Sequence, residues 1–221
     1  MRESYREELH DINDCLVNMT NAVGSAMSTA TTALLDADVT LADRVIAGDE
    51  HIDAVRASVD ERCFTLLARQ QPVASDLRAI TTAMATVGDL ERMGDLAKHI
   101  AKVARMRFPE PAVPQEVRPI FLEAGYVAES LVTKAGAIIA KRDVAAALEL
   151  ETDDDMMDRL HAQLFRELLS EGWPHGIESA IDITLLGRYY ERFADHAVSV
   201  ARRVVYLVTG ERPLPAAADA G

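Results

Sequence analysis

Four pairs of acidic residues, each spaced four residues apart, are the side chains of this sequence whose type and spacing could do chemistry. Residues four apart lie one above the other on one side of an α-helix, so each pair presents two carboxylates together. The pairs are Asp49 with Asp53, Glu91 with Asp95, Asp154 with Asp158, and Glu191 with Asp195. Because carboxylate oxygens are the ligands of hard cations, the pairs are candidate metal ligands.

Two of these pairs lie in segments that resemble each other. The sequence ERMGD at residues 91–95 returns as ERFAD at residues 191–195, and a long helical pattern continues after both copies. Five similar residues alone are weak evidence, but this match is in register with the helices around it. We interpret it as an internal duplication of the chain.

Apolar residues that recur every three or four positions predict six long helices. We expect these helices over about residues 4–36, 40–69, 72–106, 116–141, 143–170 and 177–209. Thr40 is suited to cap the second helix, and Pro72 is tolerated in the first turn of the third. The abundance of alanine and leucine and the scarcity of aromatic residues favour the same all-α fold.

The segment from Phe108 to Pro114 holds three prolines in seven positions, and no helix could pass through it. We therefore expect two tandem three-helix bundles related by the duplication. The first repeat spans residues 1–107, a proline-rich linker spans 108–115, the second repeat spans 116–209, and a flexible tail spans 210–221. One continuous six-helix bundle is the alternative, and the prolines favour two units.

The acidic pairs should meet within each half. Helices joined by a short turn run antiparallel, so residues at equal distances from the turn lie side by side. The pairs of the first half lie 18 to 24 residues from a turn near Gln71, and those of the second half lie 16 to 21 residues from a turn near Pro174. At a rise of about 1.5 Å per residue, each half should bring four carboxylates to one level on adjacent helices.

Four carboxylates at one level repel one another unless positive charge lies nearby, and the spacing leaves two sources of that charge open. One source is a hard cation such as magnesium, manganese, calcium or iron. The other is the set of arginines close to the pairs, namely Arg56, Arg92, Arg188 and Arg192. His99 and His161 are weaker candidate ligands, and zinc is disfavoured because no cysteine or histidine completes a set.

Composition argues against several classes of protein. The net charge of −13 argues against binding to nucleic acid or to an anionic membrane surface, since both need a basic face. The charged N-terminal residues do not resemble a signal peptide, and no apolar run approaches the roughly 18 residues of a membrane span. Cys15 and Cys63 are expected to be free thiols. We therefore expect a cytoplasmic protein, and no nucleophilic or phosphate-loop motif supports catalysis.

Three stretches of the sequence resemble the signatures of a known family. They are QPVASDLR at residues 71–78, ERMGD at 91–95 and YERFADH at 190–196. Together with the duplicated three-helix plan, they resemble the PhoU family, and its actinobacterial members in particular. The resemblance covers about residues 5–209 and implies a fold of two three-helix bundles.

The resemblance also implies a cytoplasmic regulator without catalytic activity. Members of the family act as negative regulators of phosphate uptake and of the phosphate-starvation regulon. The implied partners are the ATPase subunit of a phosphate ABC transporter and the cytoplasmic part of a sensor histidine kinase, and long amphipathic bundles also favour a homodimer. The family's metal motif matches all four acidic pairs, and the metals it implies are iron, zinc or another ion such as Mg, Mn or Ca.

Two other functions stay open. A carboxylate-bridged metalloenzyme, either an oxidase or a phosphohydrolase, would need an open coordination position and a substrate pocket. A purely structural helical dimerisation module would leave the acidic faces solvated.

The two halves differ at matching positions. Asp89 stands against Tyr189, and His99 stands against Ser199. We therefore expect the two acidic sites to differ in metal occupancy or affinity. The sequence reveals no convergent cationic pocket for phosphate, so phosphate sensing is expected at the transporter.

Overall fold

The chain forms six α-helices in a computed structural model that describes residues 2–70, 72, 74–170 and 172–211. The helices are α1 (Arg2–Asp36), α2 (Val39–Gln70), α3 (Ser75–Arg107), α4 (Arg118–Lys141), α5 (Val144–Leu168) and α6 (Gly176–Thr209). The described ranges contain no strand, so the predicted all-α fold is confirmed. Within them, no helix is long and apolar enough to cross a membrane.

The helices form two three-helix bundles that share one core. α1, α2 and α3 pack against one another, and so do α4, α5 and α6. α1 also packs on α4, and α3 also packs on α6, which leaves α2 and α5 on the outside of a central four-helix layer. The prediction of two bundles is confirmed, and their buried apolar residues form a single hydrophobic cluster.

α1 and α4 approach each other closely because glycines face threonines between them. A Cβ atom at Gly125 would lie 2.6 Å from Cγ2 of Thr31, and a Cβ atom at Gly136 would collide with the hydroxyl of Thr20. At such distances any side chain on the glycine would force the helices apart. The glycines of α4 therefore set the separation of the two bundles along this contact.

A buried hydrogen bond also joins the two bundles. The hydroxyl of Tyr190 on α6 lies 2.8 Å from the hydroxyl of Thr31 on α1. Because Thr31 donates its own hydrogen to the carbonyl of Met27, Tyr190 is the donor of this bond. Burial raises the pKa of Tyr190, so its hydroxyl keeps the proton that it donates.

The segment between α3 and α4 packs into the core. Residues 108–117 are not helical, as the prolines require, yet Ala112, Val113 and Val117 are buried. The connection between the bundles is therefore held by apolar contacts. The expected flexible tail lies outside the described residues from position 212 onward.

Two local predictions about helix starts are wrong. Asp38, and not Thr40, caps α2, because Oδ1 of Asp38 accepts hydrogen bonds from the backbone nitrogens of Thr40 at 2.9 Å and Leu41 at 3.0 Å. α3 begins at Ser75, so Pro72 precedes the helix and does not occupy its first turn. Proline disfavours a helical conformation at the residue before it, which suits a connection as well as a first turn.

Candidate functional site

The first acidic cluster lies between α2 and α3 and contains its own cation. Asp49 is 3% exposed, and Nζ of Lys98 donates a hydrogen bond to its Oδ2. The same Nζ lies 3.6 Å from Oδ1 of Asp95. The hydrogen bond with Asp49 and the charges of Asp95 and Asp53 raise the pKa of Lys98, which keeps its ammonium group charged.

Glycine makes room for this arrangement. A Cβ atom at Gly94 would lie 2.9 Å from Cδ1 of Ile52 and 3.4 Å from Oδ1 of Asp49. α3 can therefore approach α2 closely enough for Lys98 to reach across to Asp49. The small residue of the ERMGD segment thus has a packing role beside the acidic pair.

Arginines lie against Glu91 and Asp95 of the first cluster. Arg56 forms an ion pair with Glu91 at 2.8 Å. Arg92 lies 3.8 Å from Glu91 and 3.7 Å from Asp95. Arginine compensation, one of the two sources of charge that the sequence left open, is therefore present here. Sequence reasoning missed Lys98, although its position three residues after Asp95 on the same helix was a signal for it.

The second acidic cluster lies between α5 and α6 and has less positive charge. Burial, with the charges of Asp158, Asp195 and Glu191, raises the pKa of Asp154 to about 7. Its Oδ1 is buried and has no hydrogen-bond partner in the described part of the chain. Burial and the charge of Glu191 likewise raise the pKa of Asp195.

The internal duplication explains the difference between the clusters. Lys98 matches Val198, because the last helices of the two halves are offset by 100 residues. Arg56 matches His161, because Asp49 and Asp53 match Asp154 and Asp158 with an offset of 105 residues. At the second cluster, Arg188 forms an ion pair with Glu191. Two cations of the first cluster, Lys98 and Arg56, are thus replaced by a valine and a histidine in the second.

The donor chemistry of the second cluster fits a hard cation better than that of the first. Each cluster holds a buried aspartate oxygen without a hydrogen-bond partner among the described residues, Oδ1 of Asp49 in the first and Oδ1 of Asp154 in the second. In the first cluster, however, the other oxygen of Asp49 is bound to Lys98 and Glu91 is paired with Arg56, whereas Asp154 has no ion pair among the described residues. Among the described residues, however, no group of three or more His, Cys, Asp or Glu side chains is arranged to hold a metal ion. The structure brings the predicted carboxylates of each half together without arranging them as a coordination sphere.

The two histidines have other neighbours. The ring of His99 on α3 stacks on Tyr189 of α6, with 5.4 Å between ring centroids. The ring of His161 contacts the edge of Phe165 on its own helix at 4.9 Å. Both rings make aromatic contacts, and the interpretation of each as a metal ligand gains no support from its surroundings.

Charged groups join α3 to α6 at both ends of their contact. Asp89 lies 3.2 Å from Nδ1 of His196 and accepts a hydrogen bond of 2.5 Å from Nε of Arg203. Burial alone would raise the pKa of Asp89, but the hydrogen bonds from His196 and Arg203 lower it. At the other end, Arg107 donates a hydrogen bond of 2.6 Å to Asp182. Ion pairs between partly exposed arginines and largely buried carboxylates therefore link the two halves.

Fold and site together define a class of protein: an all-α chain built from duplicated three-helix units, each with carboxylates clustered between its second and third helices. The family model described as the PhoU domain matches residues 16–104 and 121–204. The chain belongs to the PhoU family.

Similar proteins extend over nearly the whole chain. "Phosphate-specific transport system accessory protein PhoU homolog 2" of Mycobacterium tuberculosis is 47% identical over 213 residues, which cover 96% of this chain and 100% of the relative. A PhoU homolog of Pseudomonas aeruginosa is 35% identical over 213 residues, covering 94% of this chain and 86% of the relative.

The crystal structure of PhoU from Pseudomonas aeruginosa matches with a TM-score of 0.87 at 34% identity, covering 94% of this chain and 100% of that chain. The crystal structure of the phosphate transport system regulatory protein PhoU from Streptococcus pneumoniae matches with a TM-score of 0.85 at 26% identity, covering 95% of this chain and 99% of that chain. The family resemblance drawn from the three sequence stretches is confirmed.

Proposed function

We propose that the chain is a cytoplasmic negative regulator of phosphate uptake and of the phosphate-starvation regulon. In this role it links the ATPase subunit of a phosphate ABC transporter to the cytoplasmic part of a sensor histidine kinase and has no catalytic activity. The observation that carries the proposal is the similarity, over 96% of the chain, to relatives named phosphate-specific transport system accessory proteins. Both segments that match the family model span an acidic cluster.

Gene expression tests this role directly. In phosphate-replete cells that lack the chain, we expect phosphate-scavenging genes to be expressed, and we expect the wild-type chain to silence them again. The control is a strain from which the related genes have also been removed, because a second copy could mask the effect. Silent scavenging genes in that strain would overturn the regulatory proposal.

Metal binding is part of the proposal, and the second cluster is its principal site. Asp154, Asp158, Glu191 and Asp195 would hold the ion, and their all-oxygen set suits magnesium, manganese, calcium or iron better than zinc. The raised pKa of Asp154 supports this assignment, since a bound cation would supply the positive charge that the cluster lacks. Asp158 and Asp195 are exposed, so their side chains are able to turn towards an ion.

The first cluster should bind a metal more weakly. Three of its carboxylates, Asp49, Asp53 and Asp95, already interact with the ammonium group of Lys98, and the fourth, Glu91, is bound to Arg56. A metal ion would have to displace these cations or lie beside them, and like charges repel.

Titration calorimetry with manganese tests the difference between the clusters. We expect Asp154→Asn to weaken binding at least tenfold and the matched control Asp49→Asn to leave it nearly unchanged. Lys98→Val, which installs the residue found at position 198, should allow a second ion to bind. Equal weakening by the two aspartate variants would overturn the assignment to the second cluster.

Self-association completes the proposal. On α6, Ile177, Ile181 and Leu185 are exposed at four-residue spacing. An apolar stripe of this kind on a helix is typical of a surface that contacts another protein. Light scattering of the wild-type chain should give the mass of a dimer. The substitution Ile181→Glu should lower the measured mass towards that of one chain. A wild-type chain that scatters as a monomer would exclude the homodimer.

A further inference from the structure

We propose that the cleft between α3 and α6 at the end that holds Asp89 binds a small organic phosphate through its phosphate groups. The cleft has a volume of about 530 Å³ and is lined by Thr81, Thr82, Ala85, Ser199, Arg202, Arg203 and Tyr206. These residues join two guanidinium groups with four hydroxyl groups on two facing helices. The inference rests on this geometry and does not depend on the proposed regulatory role.

The two arginines are held in place by carboxylates on other helices. Arg203 of α6 donates through Nε to Asp89 of α3, and Arg202 contacts Glu151 of α5 through both Nε and Nη2, which leaves its Nη1 group. A guanidinium group anchored by its Nε edge still carries terminal N–H groups, and a planar fork of donors matches the oxygens of a phosphate. Anchoring also reduces the conformational entropy that a ligand must overcome when it binds.

A buried hydroxyl group supplies a further donor on the α3 side. Thr82 is 7% exposed, and its Oγ1 is buried without a hydrogen-bond partner among the described residues. Buried polar groups are nearly always hydrogen-bonded, so a buried hydroxyl without a partner beside a cleft calls for a ligand or water. Thr81 is one residue away and is exposed, but its hydroxyl already donates to the carbonyl of Leu77, so Thr81 borders the cleft without supplying a donor.

The local charge differs from that of the whole protein. Arg78 lies next to the cleft, with its guanidinium carbon 5.9 Å from the ring centre of Tyr206 and its Nε bound to the carbonyl of Leu207. Arg202 and Arg203 are paired with Glu151 and Asp89, and Arg78 adds a third guanidinium group beside the cleft. An anion would meet an excess of one positive charge here, in a chain whose net charge is −13. The sequence analysis did not reveal this group of arginines.

The duplication provides an internal comparison. At the matching positions near the other end of the α3–α6 contact, Thr81, Thr82 and Ala85 are replaced by Ile181, Asp182 and Leu185. Ser199, Arg202 and Arg203 are replaced by His99, Lys102 and Val103. The combination of hydroxyls and arginines is thus confined to one of the two related places, so the duplicated fold alone does not require it.

The size of the cleft indicates the class of ligand. Pockets of about 300–1,000 Å³ hold organic ligands of drug size, whereas inorganic phosphate would fill a small part of such a volume. The ligand should therefore combine phosphate groups with an organic part that lies along the apolar portions of Ala85 and Tyr206. A nucleotide has this chemistry, and ATP is a suitable probe.

Titration calorimetry of the full chain with ATP in the presence of EDTA tests the inference. We expect saturable binding at one ATP per chain, with inorganic phosphate and sulfate at least tenfold weaker. Two variants should each weaken ATP binding at least tenfold. Arg202→Gln removes a guanidinium group, and Thr81→Ile places in the cleft the residue found at position 181. Thr81 is exposed, so its replacement is not expected to impair folding.

Lys102→Gln is the matched control, because Lys102 is exposed and stands at the position equivalent to Arg202 but away from the cleft. It should leave ATP binding unchanged. Absence of saturable binding to the wild-type chain, or equal weakening by Lys102→Gln and Arg202→Gln, would overturn the proposal. Equal affinity for ATP, inorganic phosphate and sulfate would overturn it as well. None of these outcomes bears on the regulatory role, which is measured by gene expression.

Discussion

At the scale of single residues, Asp49 and Asp154 occupy matching positions in the two halves but have different partners. Each has one buried oxygen without a hydrogen bond among the described residues, but the other oxygen of Asp49 is bound by Lys98, whereas Asp154 has no ion pair there. A buried carboxylate is stable when a cation or donor compensates it and costs free energy when nothing does. The same substitution should therefore have opposite effects on stability in the two halves.

We predict that Asp154→Asn stabilises the metal-free chain and that Asp49→Asn destabilises it. Asp154→Asn removes a charge that repels Asp158 and Asp195, and the gain should be about 1 kcal/mol because solvent screens this partly exposed group. Asp49→Asn removes a charge-assisted hydrogen bond and should cost about 1–3 kcal/mol. Denaturant unfolding at pH 8 in EDTA measures both free energies. If both substitutions changed the free energy of unfolding in the same direction, Asp49 and Asp154 would not differ in charge compensation as we infer.

The effect of Asp154→Asn should depend on pH. The pKa of Asp154 is raised from 3.8 to about 7 in the folded chain, so between these values the folded state keeps a proton that the unfolded state has released. The contribution of Asp154 to stability is thus present at pH below 3.8 and is lost as pH rises through 7. The stability of the variant relative to the wild type should increase over this range and then level off. A difference that stays constant from pH 4 to pH 8 would contradict this prediction.

At the scale of the helices, close contact between α1 and α4 depends on residues without side chains. Gly125 faces the side chain of Thr31, which also accepts the hydrogen bond of Tyr190. Displacing Thr31 would therefore disturb both the helix contact and a buried hydrogen bond between the bundles.

We predict that Gly125→Ala lowers the free energy of unfolding by about 1–3 kcal/mol, the usual cost of an overpacked contact. Gly48→Ala is the matched control, since a Cβ atom at Gly48 in α2 would have no neighbour within 4 Å. Alanine is favoured over glycine inside a helix, so the control should gain about 0.5–1 kcal/mol. Thermal unfolding of the two variants measures the contrast. Equal stabilisation by both would mean that α1 and α4 can separate without cost.

The fold and the level of the acidic pairs could be predicted from the sequence because both follow from regular helix geometry. The spacing of Lys98 and Asp95 signalled their ion pair, but the bond from Lys98 across to Asp49 could not be predicted, since it depends on how closely Gly94 lets the two helices pack. The cleft was also hidden, because Thr82 and Arg202 meet only when α3 packs on α6. Asp38 and Thr40 are both good capping residues, and a shift of the helix start by two positions decides between them.

At the scale of the whole molecule, the two bundles should behave as one unit. Their cores merge through α1, α3, α4 and α6, and Tyr190 and Arg107 form hydrogen bonds across the boundary. α2 and α5 are the exceptions, because each packs only on helices of its own bundle within the described residues. A defect in α2 is therefore the most direct test of whether the bundles unfold together.

We predict that Val59→Ala, in α2, shifts the unfolding of the second bundle as much as that of the whole chain. Val59 is 1% exposed, and its truncation should cost about 2 kcal/mol, or about 4–8 °C in melting temperature for a chain of this size. Trp173, the single tryptophan, lies between α5 and α6, so its fluorescence reports on the second bundle, while circular dichroism reports on all helices. Leu164→Ala is the matched control, because it truncates a buried side chain in α5, the corresponding outer helix of the second bundle. If the tryptophan transition kept its wild-type midpoint in Val59→Ala while the circular dichroism midpoint fell, the bundles would be independent units and the shared core would not couple them.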